Sequence, residues 1–193
     1  MSLWRELLEA IWAIPDKQAG GTSSETSINS SKVPAVFNAV DWVRGTTNAD
    51  IGGGKFNTAT SFLSKKGVKN VIFDPFSREP EANKKAAAQL RGGKADTATV
   101  SNVLNVIKSS GDRSEVIRTA ANAVGSDGVA YFSVYEGDGS GKAGETPKGW
   151  QENRSLDSYV SEVKKHFSNV ERKGSVIVAR QGKAKEDEKP AEA

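Results

Sequence analysis

Asp50-Ile51-Gly52-Gly53-Gly54 sets an acid two residues ahead of three successive glycines, and Asp74 follows twenty residues after the last of them. Glycine has no Cβ, so its backbone takes positive φ readily and lets a ligand approach the main chain closely. An acid at the end of the second strand of a βαβ unit is the group that holds ribose hydroxyls in nucleotide-type sites. Together the two features predict a cradle for a small molecule that carries a ribose.

A dinucleotide cradle uses G-x-G-x-x-G, whose last glycine lets the helix pack against the strand while the helix N-terminus faces a pyrophosphate. Gly52 and Gly54 fit that pattern, but Asn57 stands at the third glycine position. Asp50, inside the end of the first strand, suits a cationic ligand better than a diphosphate. Asp-x-Gly-x-Gly followed by Asp74 resembles motif I and the second-strand acid of class I S-adenosylmethionine-dependent methyltransferases. That resemblance implies an α/β fold, a Rossmann-like sheet with helices on both faces and an antiparallel last strand. It also implies that the amino-acid end of S-adenosylmethionine lies beside Asp50, Gly52, Gly53 and Gly54, with the ribose on Asp74.

A finer likeness covers residues 46–180. Asp74-Pro75 after the second strand, Leu104-Asn105-Val106-Ile107 after the fourth, and the stretch from Gly149 to Arg154 are similar to the methyltransferases associated with DNA phosphorothioation. It adds Pro75 to the cofactor-binding set. In class I enzymes the end of the fourth strand faces the methyl acceptor, which makes Asn102, and after it Asn105, the candidate catalytic residues; Asn102 also touches the cofactor in this reading. The other reading of these asparagines is that one caps the next helix. Tyr135 and Trp150 are the candidate substrate-binding residues, supplying an aromatic wall.

The elements that must position these groups follow from periodicity. Leu3, Trp4, Leu7, Leu8, Ile11 and Trp12 define an amphipathic helix over 1–14, which either docks on the domain or meets a partner or second subunit through Trp4 and Trp12. Residues 15–31 are polar and form a linker or a lid, with Thr26, Asn29 and Lys32 as contacts in the second case. Val33, Val36, Phe37, Val40 and Val43 predict a helix over 33–43. A helix from the glycine turn to Lys66 is closed by Gly67, and a strand spans 68–73. A helix over 81–90 leaves room for only a reduced or missing third strand at 92–96. A strand from Thr97 follows, then a helix over 113–124 and a strand over 128–135.

Five glycines between Gly137 and Gly149 predict a long mobile loop over the crevice. Leu156, Tyr159, Val160, Val163 and Phe167 mark a further helix, with His166 near its end as a surface or capping residue. Val170–Arg172 and Ser175–Ala179 make the last two strands. The methyltransferase-like domain thus spans 32–181, with a charged, disordered tail over 182–193.

Composition narrows the chemistry. The chain has no cysteine, which removes disulfides, thiolate nucleophiles and cysteine metal sites, and a single histidine removes a multi-histidine metal centre; no metal is expected. A net charge of +3 permits nucleic acid without indicating it. No apolar run approaches the roughly 18 to 20 residues of a membrane span, and no signal sequence is evident, so a cytoplasmic protein is expected. A sulfonium methyl is already activated, so in-line positioning alone can lower the barrier by roughly 7 to 11 kcal/mol, and no dedicated base is required. The acceptor is unidentified. Two rivals stand beside this reading: a non-catalytic cofactor-binding or partner-binding protein on the same scaffold, and a nicotinamide enzyme, which Asn57 and Asp50 oppose.

Overall fold

The computed structural model describes residues 32–147 and 149–183. The expected helix over 1–14 with Trp4 and Trp12, the linker or lid over 15–31, and the tail beyond 183 lie outside the described residues. In chain order the strands are β1 (Thr47–Ile51), β2 (Lys69–Phe73), β3 (Thr97–Ser101), β4 (Val129–Ser133), β5 (Gly144–Thr146), β6 (Gly149–Gln151), β7 (Phe167–Lys173) and β8 (Val176–Gly182). The helices are α1 (Thr58–Lys65), α2 (Pro80–Leu90), α3 (Ser110–Val124) and the single turn α4 (Val160–Val163).

Six strands form one sheet in the order β2-β1-β3-β4-β8-β7. The first four are parallel, and β8 is antiparallel both to β4 and to its hairpin partner β7. From β1 the chain steps outward to β2, whereas from β3 it steps the opposite way to β4. The connections therefore diverge between the C-terminal ends of β1 and β3, and an open α/β sheet places its ligand crevice at such a switch point.

Strand alternation supplies two cores. Ala130 and Phe132 of β4 and Ile177 and Ala179 of β8 face a large core shared with α2, α3 and α4. Val176 and Val178 face the other side, where Leu63 and Ala59 of α1 meet Val36 and Phe37. Alanines of α2 and α3, among them Ala86, Ala87, Ala120 and Ala121, are buried against the sheet.

Local chemistry explains the helix ends. After α1, Val68 N–H donates to Leu63 O (3.0 Å) and Gly67 N–H to Ser64 O (2.9 Å), with Gly67 at φ +73°. That paired closure needs the left-handed residue that glycine supplies. Pro80 opens α2 at a position where no amide donor is missed. Ser109 caps α3 by accepting from Asp112 N–H at 3.2 Å.

Four expectations are corrected. The segment 33–43 contains only a 3-10 turn, Ala35–Asn38, and its apolar spacing is satisfied without a helix. Trp42 folds back, donating Nε1–H to Phe37 O (2.8 Å) and stacking on the Phe37 ring, while Val43 stays exposed. The helix expected through Phe167 stops at Val163, and Phe167 already begins β7. The last part of the glycine-rich loop pairs as the β5/β6 hairpin, while 137–143 remain turns and bends. Finally, β8 runs through Gly182 and Lys183 N–H reaches His166 O (2.8 Å), so these two residues belong to the sheet edge rather than the tail. No strand occurs between β2 and β3 among the described residues, which leaves β2 at the edge.

Candidate functional site

The glycine turn leaves β1 at the crevice. Gly52 and Gly54 both adopt φ +73°, and Gly52 N–H is tied to Phe73 O at 2.8 Å. A side chain at Gly52 would overlap Val103 Cγ2, so the turn packs directly on the segment that follows β3. A Cβ at Gly53 would lie 2.6 Å from Asp50 Oδ2 and 3.0 Å from Ile72 Cγ2. The Gly53 amide makes no hydrogen bond among the described residues.

Asp50 lies beneath this turn, 2% exposed. It belongs to a buried polar ladder. Thr99 Oγ1 donates to Asp50 Oδ1 (3.2 Å), Asn70 Nδ2 donates to Asp50 Oδ2 (3.3 Å), and Asn48 Nδ2 reaches both Asn70 Oδ1 (2.8 Å) and Thr99 Oγ1 (3.0 Å). Burial pushes the Asp50 carboxyl up to about 6. Hydrogen bonds from Asn70 and Thr99 oppose that rise and the negative charge of Asp74 adds to it. Asp50 Oδ2 thus lies directly under Gly53, where the carboxylate supports the turn.

Asp74 is the knot between the turn and the loop after β2. Its Oδ2 accepts from Gly54 N–H (2.8 Å), and its Oδ1 from Phe76 N–H and Ser77 N–H (2.9 Å each). A carboxylate offers about four lone-pair sites, so one remains for a ligand. Asn83 of α2 clamps the same residue, accepting from Asp74 N–H (2.8 Å) and donating to Asp74 O (3.0 Å). Pro75 is half-buried beside it. Arg78 closes the far side, donating Nε–H to Gly54 O (2.8 Å), and Nη2–H to Phe56 O (3.0 Å) and Asn57 Oδ1 (2.9 Å). Asn83 and Arg78 were missed in sequence. Their only signal was position, nine and four residues after the acid.

Asn102 follows β3 in the left-handed region at φ 55°, a conformation asparagine tolerates better than most residues. Its N–H donates to Ser133 O at 2.9 Å, while its exposed side-chain amide makes no hydrogen bond among the described residues. Because Ser109 caps α3, neither asparagine does. Asn105 is buried. Its Nδ2 donates to Gln151 Oε1 (3.2 Å), its backbone oxygen accepts from Glu152 N–H (2.7 Å), and its Oδ1 has no partner.

Gln151 is the hub of a second group. Besides Asn105 it meets Tyr135 O, donating from Nε2 at 3.1 Å. Trp150 is half-buried, donates Nε1–H to Glu152 Oε1 (3.1 Å), and carries Lys108 Nζ 4.7 Å from its ring centroid; Tyr135 is 56% exposed. Asn105, Tyr135 and Trp150 are thus brought together by Gln151, whereas Asn102 stands apart beside the glycine turn.

Behind the hairpin lies an ionic cluster. Arg113 meets Glu162 (2.8 Å) and Glu152 (3.4 Å), and Arg154 meets Glu162 (2.6 Å) while stacking over the Tyr159 ring. Burial raises the Glu162 carboxyl, but hydrogen bonds from both arginines outweigh it and hold the group below its ordinary range. His166 is half-buried, and its Nε2 pairs with Ser114 Oγ at 2.7 Å. Burial and then the nearby Arg118 charge depress its pKa. No group of acidic or histidine side chains suited to a metal occurs among the described residues.

No protein-family model and no curated protein matches the sequence. Solved structures do. The chain superposes on the 1,6-didemethyltoxoflavin-N1-methyltransferase of Burkholderia thailandensis, whose crystal structure holds 1,6-didemethyltoxoflavin and S-adenosylhomocysteine. The TM-score is 0.54 at 17% identity, covering 72% of each chain. An N-methyltransferase of Haemonchus contortus, in complex with phosphomonomethylethanolamine and S-adenosylhomocysteine, gives 0.51 at 16% identity over 71% of this chain and 37% of that one. LaPhzM gives 0.50 at 18% identity over 76% of this chain and 53% of that one. The chain thus spans about half or less of the latter two. At these identities the likeness is one of fold, and the fold is the Rossmann-like one expected, with the third strand missing among the described residues and the last strand antiparallel.

Proposed function

We propose that this protein is an S-adenosylmethionine-dependent methyltransferase that moves the sulfonium methyl to an acceptor by in-line transfer. The observation that carries the reading is the glycine turn at the β1/β3 switch point, with the unengaged Gly53 amide on one side and the unengaged Asn102 side chain on the other. The cofactor supplies an activated methyl, so the chain's own residues need only bind, orient and exclude water. Gly52 and Gly53 are assigned to the amino-acid end, Gly53 N–H being the donor for a carboxylate. Asp74 is assigned to the ribose through its remaining lone pair, with Pro75 shaping the same loop. Asn102 is assigned to the acceptor, its amide free to hold a nucleophile in line. Tyr135 and Trp150 form the wall on which an acceptor leans, and Asn105 fixes that wall through Gln151. Asp50 and Gly54 serve from behind, as the floor of the turn and its tie to Asp74.

The finer kinship with phosphorothioation-associated methyltransferases rests on Asp74-Pro75 and the run from Leu104 to Ile107, in which Leu104 and Ile107 are core residues. A cytoplasmic location belongs to the same proposal. No helix among the described residues is long and apolar enough to cross a membrane.

One observation favours a second reading. Asp74 already accepts three amide hydrogen bonds, so the fold alone accounts for its carboxylate, which suits a non-catalytic protein on the same scaffold. Tritium-labelled S-adenosylmethionine, incubated with separated protein, nucleic-acid and small-molecule fractions, decides between them. Label should enter one fraction with the wild type and none with Asn102→Gly. Cofactor binding with no labelled fraction would establish the second reading.

A further inference from the structure

The overall charge of +3 conceals an uneven distribution. Residues 55–94 carry nine Lys and Arg against three Asp and Glu, a net of +6, and the remainder of the chain is therefore net −3. This segment is α1, β2 and α2 with their connections, which form the β2 flank of the sheet.

Five of those cations gather at the N-terminal edge of the sheet, opposite the crevice. Lys65 ends α1 and Lys66 follows it, Lys69 opens β2, Arg91 follows α2, and Lys94 lies just before β3. Arg44 joins them, its Cγ 2.9 Å from where a Cβ on Gly67 would stand. Backbone pairing holds them close. Lys69 N–H donates to Thr46 O and Asp96 N–H to Thr47 O (2.9 Å each), which sets Lys69 and Lys94 on either side of β1. All six side chains are exposed.

The contrast with the rest of the domain is in clustering: elsewhere the arginines are paired, and Lys108, Lys142, Lys164, Lys165 and Lys183, which form no ion pair among the described residues, are not gathered with Arg or Lys from several elements at one sheet edge. Arg113, Arg118, Arg154, Arg172, Lys173 and Arg180 each sit against a carboxylate. The six cations of the flank form no ion pair among the described residues. Lys65 and Lys66 complement the C-terminal dipole of α1, and Lys69 discourages pairing on an edge strand. Neither effect calls for Arg44 or Lys94, and neither explains why all six converge. Asp41, Asp96 and Asp127 are the acids on this edge, and Asp96 is engaged with Thr47 N–H at 2.8 Å.

We infer that this edge docks the phosphate backbone of a nucleic acid. Unpaired lysines and arginines that converge on one surface are the electrostatic footprint of phosphate recognition, which positions a protein without reading sequence. An anionic lipid surface fits less well, since membrane-lying elements add Trp, Phe or Leu on an apolar face. Among the described residues the exposed large apolar side chains are Val43, Phe56 and Tyr135, and of these Val43 alone adjoins the patch. Because the patch lies at the opposite sheet edge from Gly53 and Asn102, the nucleic acid is a tether there rather than the methyl acceptor. The inference stands whether or not the cofactor reading does.

Fluorescence anisotropy of the full chain with a labelled, mixed-sequence DNA duplex tests it, between about 50 and 200 mM salt. Affinity should fall with salt, with a slope in log K against log salt of about −3 to −5, roughly −0.9 for each phosphate neutralised. The variant Lys66→Gln/Lys69→Gln/Arg91→Gln/Lys94→Gln should lose at least about tenfold in affinity and flatten the slope by about 2 to 3. Its thermal melt and S-adenosylhomocysteine affinity should match the wild type. Absence of duplex binding at low salt, or equal binding by the variant, would overturn the proposal. So would tighter binding to phosphatidylserine vesicles or to polyglutamate than to the duplex.

Discussion

Asp50→Asn replaces a buried acid with its neutral isostere under the glycine turn. In the fold the Asp50 carboxyl is raised from 3.8 to about 6. The neutral form is favoured in the native state, so the stability it contributes is present below the unfolded value and is lost as pH rises through about 6. The full shift corresponds to about 3 kcal/mol. Linkage gives a wild-type deficit of about 1 kcal/mol at about pH 4.5, growing to about 3 kcal/mol at about pH 8. The Asn variant carries none of it, because Thr99 Oγ1 can accept from the new amide where it donated to Asp50, and the new carbonyl can take the Asn70 donor.

Urea unfolding followed by circular dichroism should therefore show Asp50→Asn gaining about 2 kcal/mol on the wild type between those pH values. That is a midpoint shift of about 1 M for a typical urea slope of about 2 kcal/mol/M. Other groups titrate in both proteins and cancel in the difference. A difference that stays flat with pH, or that moves in favour of the wild type, refutes the burial argument.

Gly52→Ala should cost about 1 to 3 kcal/mol through overpacking against Val103, and Val103→Ala in the same chain should recover part of the loss in a thermal melt. Asp74→Ala strands three amide donors and should destabilise by about 2 to 4 kcal/mol as well as weaken cofactor binding; a fully stable variant would contradict the knot described above. Arg113→Met removes one of the two arginines that Glu162 and Glu152 share, Arg154 remaining, and should cost about 1.5 to 3 kcal/mol, read by chemical denaturation. Asn102→Gly relieves a left-handed backbone, so its melt should equal or exceed the wild type while any methyl transfer is lost.

The parts of the fold that sequence revealed are those encoded by neighbours in the chain. The glycine turn, Asp74 at the end of β2, the Gly67 closure and the alternation of β4 and β8 are all local patterns. The misread segments are those decided by distant contacts. The apolar spacing of 33–43 fits a helix, but Trp42 folding onto Phe37 meets the same burial demand with one 3-10 turn. Glycines at 137–149 suggested a long loop, yet its end pairs with the residues after it, Gly144–Thr146 against Gly149–Gln151.

The site divides the same way. The turn could be found, whereas Gln151 joins Asn105 across forty-six residues and leaves no trace in either neighbourhood. Asp50 could be placed inside the end of the first strand, but not its partners. The polar ladder of Asn48, Asn70 and Thr99 that buries it comes from three different strands.

Isothermal titration with S-adenosylmethionine, S-adenosylhomocysteine and NAD tests the central claim most directly, because it requires no knowledge of the acceptor. Micromolar binding of the first two, abolished by Gly53→Val and absent for NAD, is the predicted result. No heat with either sulfur compound from a folded protein, or binding of NAD in their place, would contradict it.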